Sequence, residues 1–124
     1  MGTRIVISIQ KLTLTAELNE SNAAAKLREA LPCTVRMSRW GEEYYGTCPI
    51  DIVEDDSARE LMAVGEIAYW TPGKALCFFF GPTPASTDQR PRAASPVVPL
   101  GRITEGAEAL KELGKTITAK LTEG

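Results

Sequence analysis

Arginines, aromatic rings and one turn lysine are the groups in this chain best suited to hold a ligand; histidine is absent. Arg39 follows Val35 and Met37 on one face of an alternating stretch, so its guanidinium prolongs an apolar strand face. A charge so placed must reach the rim of the fold, a partner carboxylate or a ligand. Trp40, Tyr45, Trp70 and Phe79 have the bulk to wall an apolar cleft, or equally to fill a core. Lys74, in Pro72-Gly73-Lys74, can offer an ammonium at a backbone turn or stand solvated; the glycine spacing of a phosphate-binding loop is missing. Arg90 and Arg92 lie near Ser95 on a proline-rich stretch, where they can clamp a carboxylate or phosphate bidentately or belong to a mobile, solvated loop. Taken together these residues describe a pocket with aromatic walls and arginines at its mouth. Its ligand would be small and anionic, or a peptide with a carbonyl to hold.

The lack of histidine rules out Ser-His-Asp and Cys-His nucleophilic units, and leaves acid–base work to carboxylates, tyrosine, lysine or a thiol. Cys33, Cys48 and Cys77 are odd in number and have no CxxC spacing, which fits free thiols in a reducing cytoplasm. Cys77, between Leu76 and Phe78, reads as an inert buried thiol. The acidic run from Asp51 to Glu60 lacks the spacing and central glycine of a calcium loop, so it reads as a solvated connection. No metal or cofactor is expected. A net charge of −2 and a pI near 5.2 provide no basic field for nucleic acid or an anionic membrane. No apolar run approaches the ~20 residues of a membrane span, and the first ten residues begin a strand pattern rather than a secretory leader.

Period-two alternation predicts strands over residues 4–10, 12–18, 34–40, 43–50, 65–70, 75–80, 97–103 and 116–121. Residues 23–31 switch to helical spacing, with Asn19 or Ser21 as cap and Pro32 as stop. Residues 106–113 suggest a second short helix, and residues 58–64 a helical turn. Residues 81–94 read as a long loop, and Pro49 and Pro99 imply edges or bulges. All eight aromatic residues fall between Trp40 and Phe80, five of them in the hairpin of residues 65–84. Within that hairpin Leu76, Phe78 and Phe80 share one face, and Ala75, Cys77 and Phe79 the other. One set fills an interior; the other packs under a cover or lines an outer groove. About eight mostly antiparallel strands with two short helices predict a single mainly β domain over residues 1–124. Closing it into an eight-stranded barrel would remove its exposed edges.

The stretches Trp40-Gly41-Glu42-Glu43 and Tyr69-Trp70-Thr71-Pro72-Gly73-Lys74-Ala75-Leu76, continued by Phe78-Phe79-Phe80-Gly81-Pro82-Thr83-Pro84, Ala94-Ser95-Pro96-Val97 and Gly101-Arg102-Ile103, carry a resemblance. In them the chain resembles the small bacterial and archaeal cyclophilin-like proteins of uncharacterised function. That resemblance implies a closed cyclophilin-like barrel with two end-capping helices. It does not imply prolyl isomerase activity, since the Phe-His-Arg strand and Gln-Gly-Gly-Asp segment of true cyclophilins are absent here. A binding module for a small anion or a peptide is therefore the first functional expectation. An isomerase or other enzyme acting without histidine is the alternative, and an accessory subunit the third.

Overall fold

In the computed structural model, which describes residues 3–124, nine strands are built largely where alternation predicts them. They are β1 (Thr3–Ile9), β2 (Leu12–Leu18), β3 (Cys33–Arg39), β4 (Glu43–Thr47), β5 (Arg59–Leu61), β6 (Glu66–Trp70), β7 (Ala75–Phe79), β8 (Arg92–Glu105) and β9 (Thr116–Glu123). Hydrogen-bonded neighbours run β2-β1-β9-β3-β4-β7-β6-β8, and β8 returns to β2, so eight antiparallel strands close on themselves. β5 is the extra strand, paired only to the start of β8. The fold is a closed, mainly β, cyclophilin-like barrel.

Ile5, Ile7 and Ile9 of β1 and Leu14, Ala16 and Leu18 of β2 point inward, as their alternation requires, and meet Met37, Phe78, Leu100 and Leu121 in the main core. The single α-helix, α1 (Asn22–Glu29), starts at Ser21, whose side chain accepts from Ala24 N–H at 3.1 Å. Ala23, Ala24 and Leu27 seat it on one open end of the barrel. At the opposite end the second expected helix is a 3-10 helix (Ala107–Glu112), with Ala107 and Leu110 inward. Glycine supplies its start: Gly106 has φ +94° and leaves room for Leu14, whose Cδ2 a Cβ would approach to 2.5 Å.

Three boundaries differ from the sequence reading, each because a tertiary partner outweighs local preference. β4 ends at Thr47, with Pro49 two residues beyond, instead of running to residue 50. Residues 59–61 are extended rather than helical: β5 pairs with β8, and Arg59 holds Glu66 at 2.6 Å. The stretch taken as loop up to residue 94 ends two residues earlier, because β8 already begins at Arg92. The rest of that loop is tied down rather than free. Thr83 is buried, its hydroxyl bonds the Arg92 carbonyl, and Ser86 Oγ donates to the Arg90 carbonyl at 2.7 Å. Pro99 sits at a register shift between β6 and β8, as a bulge-forming proline should.

The two faces of β7 are both buried, but in different places. Leu76, Phe78 and Phe80 enter the barrel core. Cys77 and Phe79 form a second cluster outside the barrel wall with Ala68, Met62, Ala93 and Val97. β5 and the first half of β8 supply the last three of these, so together they lie across the outer face of β6 and β7 as a cover.

Candidate functional site

Outward-facing residues alternate along β4, so Glu43 and Tyr45 share the outer face while Tyr44 and Cys48 point into the core. Register places Glu43 opposite Phe79 and Tyr45 opposite Cys77, on the sheet face that the cover reaches. Where the cover stops, a groove of about 300 Å³ remains, lined by Trp40, Glu43, Tyr45, Trp70, Ala93, Ala94 and Val97. Glu43 stands near one end and Trp70, opposite Ala75 and hence level with Thr47, near the other. At the rise of an antiparallel strand this is about 13 Å of groove, the reach of a few extended residues or one small molecule.

Three aromatic side chains give this groove its apolar character. Tyr45 is 39% exposed and Trp40 and Trp70 are half-buried, so each offers ring surface to the outside. The Trp70 indole is fixed rather than loose: its Nε1–H donates to Ser95 Oγ at 2.6 Å. Beneath it, Gly73 makes space, since a Cβ there would come within 2.6 Å of the ring. The turn that carries Gly73 is a 3-10 turn (Thr71–Gly73) closed by Lys74 with φ +49°.

Glu43 is the residue that the sequence reading missed. Its side chain is only 5% exposed, and its Oε1 is buried with no hydrogen-bond partner. Burial pushes the carboxyl up from 4.5 to about 7, against the smaller opposing pull of a hydrogen bond from the Cys77 thiol. The thiol itself is raised, first by burial and then by the adjacent carboxyl. A buried, incompletely bonded carboxyl in an otherwise apolar groove is expensive to maintain and ready to accept a donor. Its one sequence signal was parity with Tyr45, which became informative only when β7 and the cover were placed beside it.

The other candidate residues lie elsewhere or are already engaged. Phe79 is fully buried in the second cluster, where it supports the groove from below without lining it. Arg39 turns to the barrel end, where Nη1 donates to the carbonyls of Lys111 (3.1 Å) and Leu113 (2.9 Å), and Nε to Gly41 (2.8 Å). It also stacks over Phe80 and Tyr44, so this arginine caps the barrel rim and closes the C-terminal end of the 3-10 helix. Arg90 is paired with Asp88 at 2.6 Å, and Arg92 lies 3.5 Å from Glu60. Lys74 meets Asp51 at 3.0 Å on the surface. Ser95 touches the groove only through its bond to Trp70. The structure thus brings Trp40, Tyr45, Trp70 and Ser95 together and gives the three arginines and Lys74 protein partners.

Cys33 and Cys48 form a second polar pair, at the barrel end where α1 sits. Hydrogen bonding from Cys48 draws the half-exposed Cys33 thiol down to about 7, while Cys48 is raised in return. All three cysteines are free thiols. Among the described residues no helix is long and apolar enough to cross a membrane.

Comparison with known proteins places this architecture. The model of the Cyclophilin-like family matches residues 3–121. The solution structure of a hypothetical protein from Archaeoglobus fulgidus is 30% identical, with a TM-score of 0.81, and the match covers 99% of this chain and 95% of that one. No curated protein matches the chain.

Proposed function

The chain belongs to the cyclophilin-like family, and on that premise we propose that it is a non-catalytic binding module whose outer groove holds a small molecule or a short peptide. The observation that carries this reading is the gathering of Trp40, Tyr45 and Trp70 around one open groove over a buried carboxyl, Glu43. Ligand sites are mostly apolar concavities with a few oriented polar groups, and this groove has that composition. The aromatic surfaces supply burial, and Glu43 supplies a fixed polar contact that gives orientation.

A free anion suits the groove less well than a peptide or a donor-bearing small molecule. The arginines that would have attracted an anion are bound to Asp88, Glu60 and the carbonyls of the barrel rim, and the polar group facing the groove is itself acidic. A prolyl isomerase working through Arg39 has no support for the same reason: its guanidinium is engaged at the rim.

The test is a chemical-shift screen of 13C- and 15N-labelled protein against Pro-containing tetrapeptides, small carboxylates and small amines. The expected result is saturable shifts at the Trp40 and Trp70 indole signals and at Tyr45, lost in Tyr45→Ala. If every member of the screen leaves those three residues unmoved while the protein stays folded, the binding reading fails.

A further inference from the structure

We propose that the groove selects an organic cation, an alkylammonium or quaternary ammonium group, seated against Trp40, Tyr45 and Trp70 with its charge opposite Glu43. The inference rests on the binding reading above and narrows it to one ligand chemistry.

Three features of the groove converge on a cation. The first is its acid. Glu43 is 95% buried by the complement of its 5% exposure, and its Oε1 has no hydrogen-bond partner in the protein. On its own element and on β7, which packs against it, the groups facing it are Tyr45, Cys77 and Phe79; only Tyr45 and Cys77 can titrate, and none of them carries a positive charge. From the cover it faces Ala93, Ala94 and Val97, which are uncharged. Nothing on these elements neutralises the carboxylate, so its partner must come from outside.

The second is the walls. The negative faces of indole and phenol rings attract cations, and the effect grows as the site becomes drier. A groove with two tryptophans and a tyrosine around one carboxylate offers both halves of ammonium recognition, ring faces for the methyl or methylene groups and an acid for the charge. An uncharged ligand would use the rings and leave the acid unsatisfied; an anion would meet repulsion from it.

The third is the cost of the empty state. Burial holds Glu43 near neutrality of charge around pH 7. A cation arriving beside it favours the ionised form, so binding releases a proton and tightens as pH rises through about 7. A ligand held by apolar contact alone would show neither effect.

The experiment compares choline with 3,3-dimethylbutanol, its uncharged isostere, by titration calorimetry at pH 8 and pH 5.5 in buffers of differing ionisation heat. Wild type, Glu43→Gln and the exposed-site control Glu108→Gln are compared. The expected result is that choline binds about tenfold or more tightly than the isostere at pH 8, that the preference shrinks at pH 5.5, and that Glu43→Gln abolishes it while Glu108→Gln keeps it. Retained binding of the isostere by Glu43→Gln shows that the groove is still folded. Equal binding of choline and isostere by wild type overturns the cation inference and leaves the binding module standing. No binding of either, in a screen that also finds no peptide or carboxylate, removes both. A trimethyl-lysine peptide compared with free choline then identifies the source: tighter peptide binding points to a protein tail, and parity to a small metabolite, each consistent with a cation site.

Discussion

Replacing Glu43 with glutamine should stabilise the protein at neutral and alkaline pH and leave it unchanged in mild acid. The carboxyl titrates at 4.5 when exposed and at about 7 in the fold, because burial penalises its ionised form. Between these values the unfolded chain has released the proton and the folded chain still holds it. By linkage, stability then falls as pH rises. The contribution is whole below about pH 4.5, declines from there, and is lost once pH passes about 7. At roughly 1.4 kcal/mol per pH unit the accumulated loss is about 3 kcal/mol. Glutamine has nearly the shape of the protonated acid and no charge to bury, so the variant should escape that loss. The assay is urea unfolding, followed by tryptophan fluorescence, at half-unit steps from pH 4 to 8.5. Other carboxylates titrate in both proteins, so the difference between the two profiles isolates Glu43. The expected difference is near zero at pH 4.5 and about 3 kcal/mol in favour of the variant above pH 7.5. Parallel profiles across the whole range would show that Glu43 ionises as freely in the fold as out of it, and the argument from burial would be wrong.

Phe79→Ala should cost about 3–5 kcal/mol by hollowing the second cluster, whereas Tyr45→Ala, at an exposed groove position, should shift stability by no more than about 0.5 kcal/mol; urea midpoints separate the two. Arg39→Ala should lower stability by about 2–3 kcal/mol, since it strands the Lys111 and Leu113 carbonyls and removes the cation from over Phe80. It should leave the Trp70 and Tyr45 shifts of the ligand screen unchanged, and loss of those shifts in a folded variant would contradict its assignment to the rim. Cys33 should react with iodoacetamide well before Cys77 at pH 7.5, because one thiol is half-exposed and drawn down to about 7 while the other is buried and raised. Peptide mass mapping after a short pulse reads this directly, and equal labelling of the two would refute it.

The barrel was legible because its strands alternate strictly: Ile5, Ile7 and Ile9, or Leu14, Ala16 and Leu18, leave little freedom about which face turns inward. The same alternation separated Phe78 from Phe79, and both faces of β7 proved to be buried, in two distinct clusters. Local pattern failed where a distant segment determined the conformation. Residues 58–64 have helical spacing, yet Arg59 and Leu61 pair with Val97 and Arg92 on the far side of the sequence. Arg39 was read correctly as a charge needing a partner, but its partners are three backbone carbonyls, and carbonyls carry no sequence signature. Glu43 was passed over because an acidic residue at a strand start is ordinarily solvated. Its burial depends on Phe79 and on a cover contributed from fifty residues further along the chain.

That cover also accounts for the position of the groove. A closed barrel hides every strand edge, but the outer face of β6 and β7 bears Ala68, Cys77 and Phe79, too apolar to leave to water. β8 solves this by being long: over Val98–Arg102 it completes the barrel beside β6, and over Arg92–Val97 it leaves the wall and lies across Phe79 with β5. The bulge at Pro99 falls where one role gives way to the other. The cover ends at Ala93, Ala94 and Val97, opposite Tyr45, so the outermost strip of the same face, with Trp40, Glu43 and Trp70, is left open. The Trp70–Ser95 hydrogen bond joins that open strip to the cover and holds its width. A groove bounded by a covalent extension of the barrel wall on one side and by rigid strands on the other keeps its shape without a ligand, which lowers the ordering cost of binding one. The acid therefore sits not in a flexible loop but at the fixed margin between a dry cluster and an open aromatic strip, where an arriving charge is partly desolvated and strongly felt.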